Sequence, residues 1–573
     1  MNDEYHPKAK KQILTGTRVI WVILFLILLG LIVPPIFILI QNSFYTTNFD
    51  GSLGKPTVDY YSSFLSTKGN LSSLWNTAVF SIGSALLALL LGGTQAWIVE
   101  RTNTPFKTLS YLGAIISLGI PYVLYTIAWL LILGNTGPVN TFLRNLLSSE
   151  EPVFSVYSMA GMILIEGFLW APLVFLMMSS TFRSVDASFE EAARMSGARL
   201  LPTIYHISFK LALPAVLAVI LLVFIRAFEA FEIPALVGLP GEVNVLTTKI
   251  FLSITAKFPP EYGFASAYSV ILMLLVILLL YLYNRILKSG EKFQTITGKG
   301  YRPSMIDLGK WRYLTGTIII LYFSLIIIVP FLMLIWTAML PFYQPPSWEA
   351  LKQLTFKNFV IAVTYPDYLS IAKNTIVIGV LSATIVMFFT SLCAWFAARR
   401  KPGGWVLDQL ATLSLIFPGI VLGVAIMRTY VVIPLPIYGT IWIIVLAFVT
   451  KYLPYGMRYN YNGILQIHRE LEESAAVSGG NTLTILGRII FPLLKPAFLT
   501  GWLFVFLVSV RELSMALLLS SSSSRVVAVT LYDLWENGQV NELSAFGLVW
   551  TLGMVIVASV SFAFANKFKI NLR

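Results

Sequence analysis

Long uninterrupted apolar blocks constrain this chain more than any other feature. A block of about 18 or more such residues is long enough to cross a bilayer core as a helix. Lipid offers no partner for backbone N–H and C=O groups, so each block is read as a helix. Six lie in the first half, near 18–41, 74–100, 108–134, 155–181, 211–235 and 263–287. Six more lie near 312–338, 371–398, 406–430, 436–458, 495–520 and 543–566. The expected fold class is an all-α polytopic membrane protein with about 12 transmembrane helices. Only 12% of the residues are charged, roughly half the share in a soluble domain. The first block is too long for a signal h-region and no A-x-A-like site follows it, so it reads as a retained first helix.

A net charge of +13 invites a nucleic-acid reading, but its distribution argues otherwise. With the N-terminus cytoplasmic, roughly 27 of the 40 Lys and Arg fall at cytoplasmic ends and loops, the positive-inside bias. Lys8, Lys10, Lys11, Arg18, Arg399, Arg400, Lys401, Lys567, Lys569 and Arg573 are among them. Both termini are thus expected in the cytoplasm. No basic face interleaved with aromatics is visible, so the expected partner is the lipid bilayer and not nucleic acid. The single cysteine, Cys393, cannot form an intrachain disulfide and reads as a small core hydrophobe. His6, His206 and His468 are not clustered, and neither a zinc spacing nor a nucleophile–base set occurs. No metal site and no catalytic residue are expected.

The two sets of spans are copies. Asn76-Thr77 opens the second span and Asn374-Thr375 opens its counterpart. Ala96-Trp97 matches Ala394-Trp395 at the same offset, Pro121 matches Pro418, and Pro172 matches Pro454. An even number of spans per half makes the repeats parallel, related by an axis along the membrane normal. The expected domains are 1–287 and 312–573, joined by a cytoplasmic linker at 288–311. Seven Lys and Arg between Asn284 and Arg312 place that linker inside.

One polar loop is duplicated as well. FEEAARMSGARLLPTIYHISFKLALPAV (Phe189 to Val216) aligns with LEESAAVSGGNTLTILGRIIFPLLKPAF (Leu471 to Phe498), about 282 positions on. Glu190 and Glu191 meet Glu472 and Glu473, Ala193 meets Ala475, Gly197 meets Gly479, and Pro214 meets Pro496. Ser188 followed by Glu191 is a capping-box pattern. Gly197 and Gly479 suit a left-handed turn after a short helix. Pro202 fits the first turn of a second helix, and Asn481 can cap its counterpart. Each loop reads as helix, glycine turn, helix, on the cytoplasmic face. Paired Glu and Ala offer charge and a flat apolar patch to a partner, and two loops imply two copies of it.

These loops resemble the signature of permease subunits of binding-protein-dependent ABC importers, the type I, MetI-like family. The pattern is E-A-A-x-x-x-G. Glu191-Ala192-Ala193 with Gly197 matches it fully, and Glu473-Ser474-Ala475 with Gly479 carries one Ser for Ala. The family often has a proline 13 residues after the glycine; Pro492 keeps it, while Lys210 stands there in the first copy. The resemblance covers both halves and implies two MetI-like six-helix repeats. It further implies that the loops seat two copies of an ABC ATPase subunit and that an extracytoplasmic solute-binding protein delivers substrate. The chain would sit in the bacterial cytoplasmic (inner) membrane. No G-x-x-x-x-G-K-[ST] occurs, so this chain is expected to hold no cofactor, with ATP and Mg bound by the partner ATPase. FIRAFEAFEIPALVG (Phe224 to Gly238), FLVSVRELSMALLL (Phe506 to Leu519) and VTLYDLWENG (Val529 to Gly538) resemble fused ferric-iron permeases. Thiamine, polyamines and aminoethylphosphonate stay open as cargo. A secondary transporter driven by an ion gradient stays open as a different class, though it leaves the duplicated loops unexplained.

Ionisable groups inside spans are costly and face cavities or partners. Arg226, Glu229 and Glu232 lie in the fifth span, Arg511 and Glu512 in its counterpart, and Glu166 and Lys451 in the fourth spans. Two readings are open: a translocation path or gate whose carboxylates favour a hard cation, or structural ion pairs.

Overall fold

The computed structural model describes residues 6–49, 51–184, 195–197, 206, 209–290, 305–433 and 435–570. Most of these are helical, as backbone satisfaction in lipid requires. Helix α1 (His6–Ser43) leads into the one sheet among the described residues, an antiparallel hairpin of β1 (Tyr45–Thr47) and β2 (Leu53–Pro56). Among the described residues, nine helices are long and apolar enough to cross a membrane, or ten if one bent pair counts as a span. Three expected spans are not among the nine: the bent pair of Gly404–Ile416 with Gly419–Val432, the shorter apolar helix Ala212–Phe228, and Ile441–Leu465, a continuous helix that carries more polar residues.

The chain forms two compact units, and they cut it differently from the two sequence halves. One unit is Thr57–Tyr365 with Leu531–Thr551. The other is Met1–Pro56, Pro366–Thr530 and Leu552–Arg573. The first helix of each half is therefore counted with helices of the other half. Long connections follow both first helices, and a long connection leaves a helix free to pack away from its sequence neighbours.

In the first unit, α2 (Lys68–Arg101) and α5 (Met159–Ser184) cross closely, with α3 (Lys107–Gly119) and α4 (Tyr122–Leu133) between them in the chain. Ala85, Ala88, Val99, Val174, Phe175 and Met178 form the core of this crossing, joined by Val216, Val219 and Val223 of α6 (Phe209–Phe228). A Cβ on Gly92 would lie 2.3 Å from the carbonyl oxygen of Ala171, so only glycine lets these backbones approach. The outer helix α7 (Leu246–Thr255) is capped from α2: Leu246 N–H donates to Thr77 Oγ1 at 3.0 Å, and Asn76 Nδ2 donates to the Asn244 carbonyl at 3.0 Å. Helix α8 (Trp311–Ala338) packs here too, Gly316 against Pro105 and Phe323 against Gly113. The linker's end is fastened to the loop after α2. Ile306 N–H donates to the Arg101 carbonyl at 2.8 Å, and Asn103 Nδ2 donates to Asp307 Oδ1 at 2.6 Å.

In the second unit, α9 (Pro366–Ala398) packs along α12 (Ile441–Leu465), and α10 (Gly404–Leu413) and α11 (Gly419–Val432) lie between them in the chain. Helix α1 lies along α11, where buried Arg428 donates to Asn42 Oδ1 and to the Gly51 carbonyl, both at 2.9 Å. The outer cap repeats. Val527 N–H donates to Thr375 Oγ1 at 2.9 Å, and Asn374 Nδ2 donates to the Ser523 carbonyl at 3.0 Å.

The spans expected at 108–134 and 406–430 are each broken, at Ile120-Pro121 and Phe417-Pro418. Proline disfavours the helical conformation in the residue before it, and Ile120 and Phe417 are both extended. In the second unit the two pieces meet at 106°. Ile120 and Phe417 are buried in protein, which is where irregular backbone is tolerated at membrane depth.

Candidate coupling loops and charged breaks

The second duplicated loop is described in full. Helix α13 (Glu470–Val477) ends at Gly479, whose φ of +83° is left-handed. Gly480 N–H returns to the Ala475 carbonyl at 2.8 Å, which closes the helix end. Asn481 then caps the next helix, its Oδ1 accepting from Thr484 N–H at 2.8 Å. Of the first loop's expected residues, Glu190, Glu191, Ala192 and Ala193 lie outside the described residues. Gly197 is described, and its φ is +81°. Among the described residues, nothing stands within 4 Å of a Cβ placed on Gly197 or on Gly479. Both glycines therefore answer a backbone requirement and not a lack of space. Met195 and Val477 occupy matched positions before these turns and are exposed to 90% and 82%. A bare apolar side chain beside each glycine turn marks the outward face of the loop.

The paired carboxylates of the second loop do different things. Glu473 is outward and pairs with Arg469 on its own helix at 3.0 Å. Glu472 turns inward and is buried. Its Oε1 accepts from Arg399 Nε at 2.6 Å and its Oε2 from Trp395 Nε1 at 3.0 Å. Ser474 is exposed and Ala475 half-buried. Lys401 lies over the Trp395 ring, 3.9 Å from its centre. Burial lowers the Lys401 amine from the usual lysine value, with the Glu472 charge opposing. The sequence reading counts Arg399 only as a cytoplasmic positive charge and Trp395 only as a repeat marker. Their common spacing of four residues, one helical turn, was the available signal.

The charged residues of the fifth spans sit where those spans break. Helix α6 stops at Phe228, and a second helical turn starts at Glu232 and runs through Pro234–Gly238. Arg226 Nη1 pairs with Glu229 Oε1 at 2.7 Å at this end. Glu232 is within electrostatic reach of Glu166, whose Oε1 accepts from Trp170 Nε1 at 2.8 Å. In the second unit, α14 (Phe491–Val510) stops at Arg511, and helix resumes at Ser514. Glu512 Oε2 accepts from Tyr452 OH at 3.1 Å. Its Oε1 accepts no hydrogen bond from the described residues. A Cβ on Gly419 would be 3.1 Å from that oxygen and 2.8 Å from Lys451 Nζ. Gly419 opens α11, so the carboxylate lies where the helix dipole favours negative charge. Tyr452, Trp170 and Gly419 are not singled out by sequence reasoning, because nothing in their spacing separates them from core residues.

Comparison with known proteins bears on both features. The chain is 26% identical over 497 residues to a ferric transport system permease protein of Actinobacillus pleuropneumoniae, covering 85% of this chain and 69% of that one. It is 22% identical over 486 residues to an Fe(3+)-transport system permease protein of Haemophilus influenzae, covering 84% and 87%. A shorter relative is a candidate 2-aminoethylphosphonate transport system permease of Salmonella typhimurium. It is 29% identical over 246 residues, 42% of this chain and 83% of its own. The family model for binding-protein-dependent transport system inner membrane components matches residues 84–292 and 390–569, one stretch in each half. The chain belongs to that family and is a multi-pass permease of an ABC importer in the inner membrane.

Proposed function

We propose that the chain carries ferric iron, delivered by an extracytoplasmic binding protein, into the cytoplasm at the expense of ATP hydrolysed by two ATPase subunits. Each duplicated loop seats one ATPase, through the outward face that includes Met195 in one copy and Val477 with Glu473 in the other. Gly197 and Gly479 set the turn that presents this face. Both termini and the linker lie on the same cytoplasmic side, and ATP with its Mg belongs to the partner subunits. The observation that carries the coupling role is the matched left-handed glycine turn beside a matched exposed apolar residue.

The iron assignment rests on the likeness to ferric permeases over about five-sixths of this chain and on the carboxylates at and beside the broken spans. Glu166, Glu229, Glu232 and Glu512 are oxygen donors of the kind a hard cation prefers. Arg226 in one unit, and Arg511 and Lys451 in the other, act as counter-charges that keep the carboxylates of each unit from holding an ion permanently, since conduction needs release. The test is ATP hydrolysis by the assembled complex. Binding protein loaded with ferric ion should stimulate it, and protein loaded with thiamine, a polyamine or aminoethylphosphonate should not. Stimulation by one of the others alone overturns iron as cargo. Glu512→Gln with assembly intact should lower uptake at least about tenfold; full uptake sinks the cation path.

A further inference from the structure

The Ala-Trp pair repeated near the end of each second span takes no part in the functions above. In the second half it ends beside the duplicated loop. Trp395 in the last turn of α9 and Arg399 just past its end are four residues apart, and both donate to Glu472 of the loop helix α13. Arg399 Nη2 also donates to the Ile467 carbonyl at 2.9 Å, where the chain enters the loop. Glu472 is only 8% exposed. Both of its oxygens are committed to the C-terminal end of α9 and the residue that follows it, so it is not offered to a partner protein. A cavity of about 190 Å³, lined by Trp395, Arg399 and Lys401 on one side and by Arg469, Glu472 and Ala476 on the other, opens beside this contact. The loop helix is thus held to α9 by a charged, hydrogen-bonded clamp and not by tight apolar packing. Such a pair is short, directional and strong when buried.

We propose that Trp395 and Arg399 are positioning residues for ATP-driven transport, making Glu472 the link through which movement of the loop helix pulls on the second span. This rests on the reading that the loop seats an ATPase. It divides labour within the paired carboxylates: Glu473 faces the partner and Glu472 transmits. The first half carries the same parts. An offset of 298 places Trp97 and Arg101 on Trp395 and Arg399, and the loop offset of 282 places Glu190, outside the described residues, on Glu472. Arg101 is 2% exposed, an arginine buried as completely as a core residue. Trp97 Nε1, the counterpart of the Trp395 donor, makes no hydrogen bond among the described residues, so the clamp is assigned to the second half alone.

The experiment uses the full complex with its ATPase and ferric-loaded binding protein in proteoliposomes, and reads three things: ATPase bound, ATP hydrolysed and ferric ion moved per ATP. In Arg399→Gln the ATPase should co-purify at the normal ratio and stimulated hydrolysis should persist, while ions moved per ATP fall about tenfold. Arg399→Lys, which keeps the charge, should recover part of the ratio. The swap Arg399→Glu with Glu472→Arg should recover more than either single change. An unchanged ratio in Arg399→Gln overturns the clamp. So does loss of ATPase binding in Glu472→Gln but not in Arg399→Gln, since Glu472 then touches the ATPase itself. An unaltered chain that binds no ATPase overturns the coupling reading, and the clamp's role with it.

Discussion

Where the second and fourth spans cross, the two halves place the small residue on opposite helices. In the first half Gly92 of α2 meets Val174 of α5, and in the second Thr390 of α9 meets Gly456 of α12. The repeat offsets put Gly92 on Thr390 and Val174 on Gly456. Space is filled in both crossings, but by exchange. A Cβ on Gly92 would be 2.3 Å from a backbone carbonyl and 2.9 Å from Val174 Cβ; one on Gly456 would be 2.6 Å from Thr390 Oγ1 and from Val386 Cγ1. Packing constrains the pair and not the position. The two carboxylate sites differ in the same way. Trp170 and Tyr452 are aligned aromatics, and each donates to a carboxylate. The acceptor is Glu166 on the same helix in one half and Glu512 from the fifth span in the other. The Asn-Thr caps, by contrast, are the same in both halves. Duplication kept the frame and let the interior diverge.

The sharpest way to break this comparison is at the crossings. Gly92→Val drives a side chain into backbone, which cannot move aside, and should cost about 3 kcal/mol or more. It should appear as a large fall in the thermal midpoint of the detergent-solubilised protein, little relieved by Val174→Gly. Gly456→Val meets only side chains, so Thr390→Gly should restore much of its loss. Equal rescue at both crossings would remove the asymmetry.

Smaller effects are expected at the carboxylates. Trp170→Phe and Tyr452→Phe each remove one donor to a carboxylate and should cost about 1–3 kcal/mol. Thermal unfolding checks this, and a silent Tyr452→Phe would end the equivalence of the two aromatics. The outer caps come next. Thr77→Val and Thr375→Val should each cost about 1 kcal/mol, and by similar amounts. Amide exchange at Leu246 and Val527 should rise in step.

The smallest effect concerns pH and the tether at the end of the linker. Asp307 accepts from Gly309 N–H at 3.0 Å and from Asn103 Nδ2. These bonds, the backbone one first, hold its carboxyl below the usual aspartate value. A lowered folded-state value means the tether is at full strength above the unfolded value of about 3.9 and is lost as pH falls through the folded one. Amide exchange at Leu308 and Gly309 should rise only under acid. Asn103→Ala should raise it at neutral pH, and unchanged exchange there would show that the tether does not hold the linker.

Much of the molecule was legible in the chain. Span identity follows from apolar length, because lipid leaves the backbone no alternative to helix. The duplicated glycines and Asn481 were readable because turns and caps are local: Gly479 needs a positive φ and Asn481 a nearby N–H. The breaks at Pro121 and Pro418 were misread as continuous spans, although the residue before proline carried the signal. Other features were not legible because they join residues distant in sequence. Nothing near Glu472 announces Arg399, 73 positions away, and nothing near Glu512 announces Tyr452. The sequence by itself determined a helical, duplicated membrane permease with one polar loop per half, since periodicity, apolar length and local turn chemistry act over a few residues. Only the tertiary structure decided that each first helix packs with the other half, that Glu472 faces inward, and which helix yields the glycine at each crossing. Those choices are made by side chains from separate segments competing for one volume or one hydrogen bond.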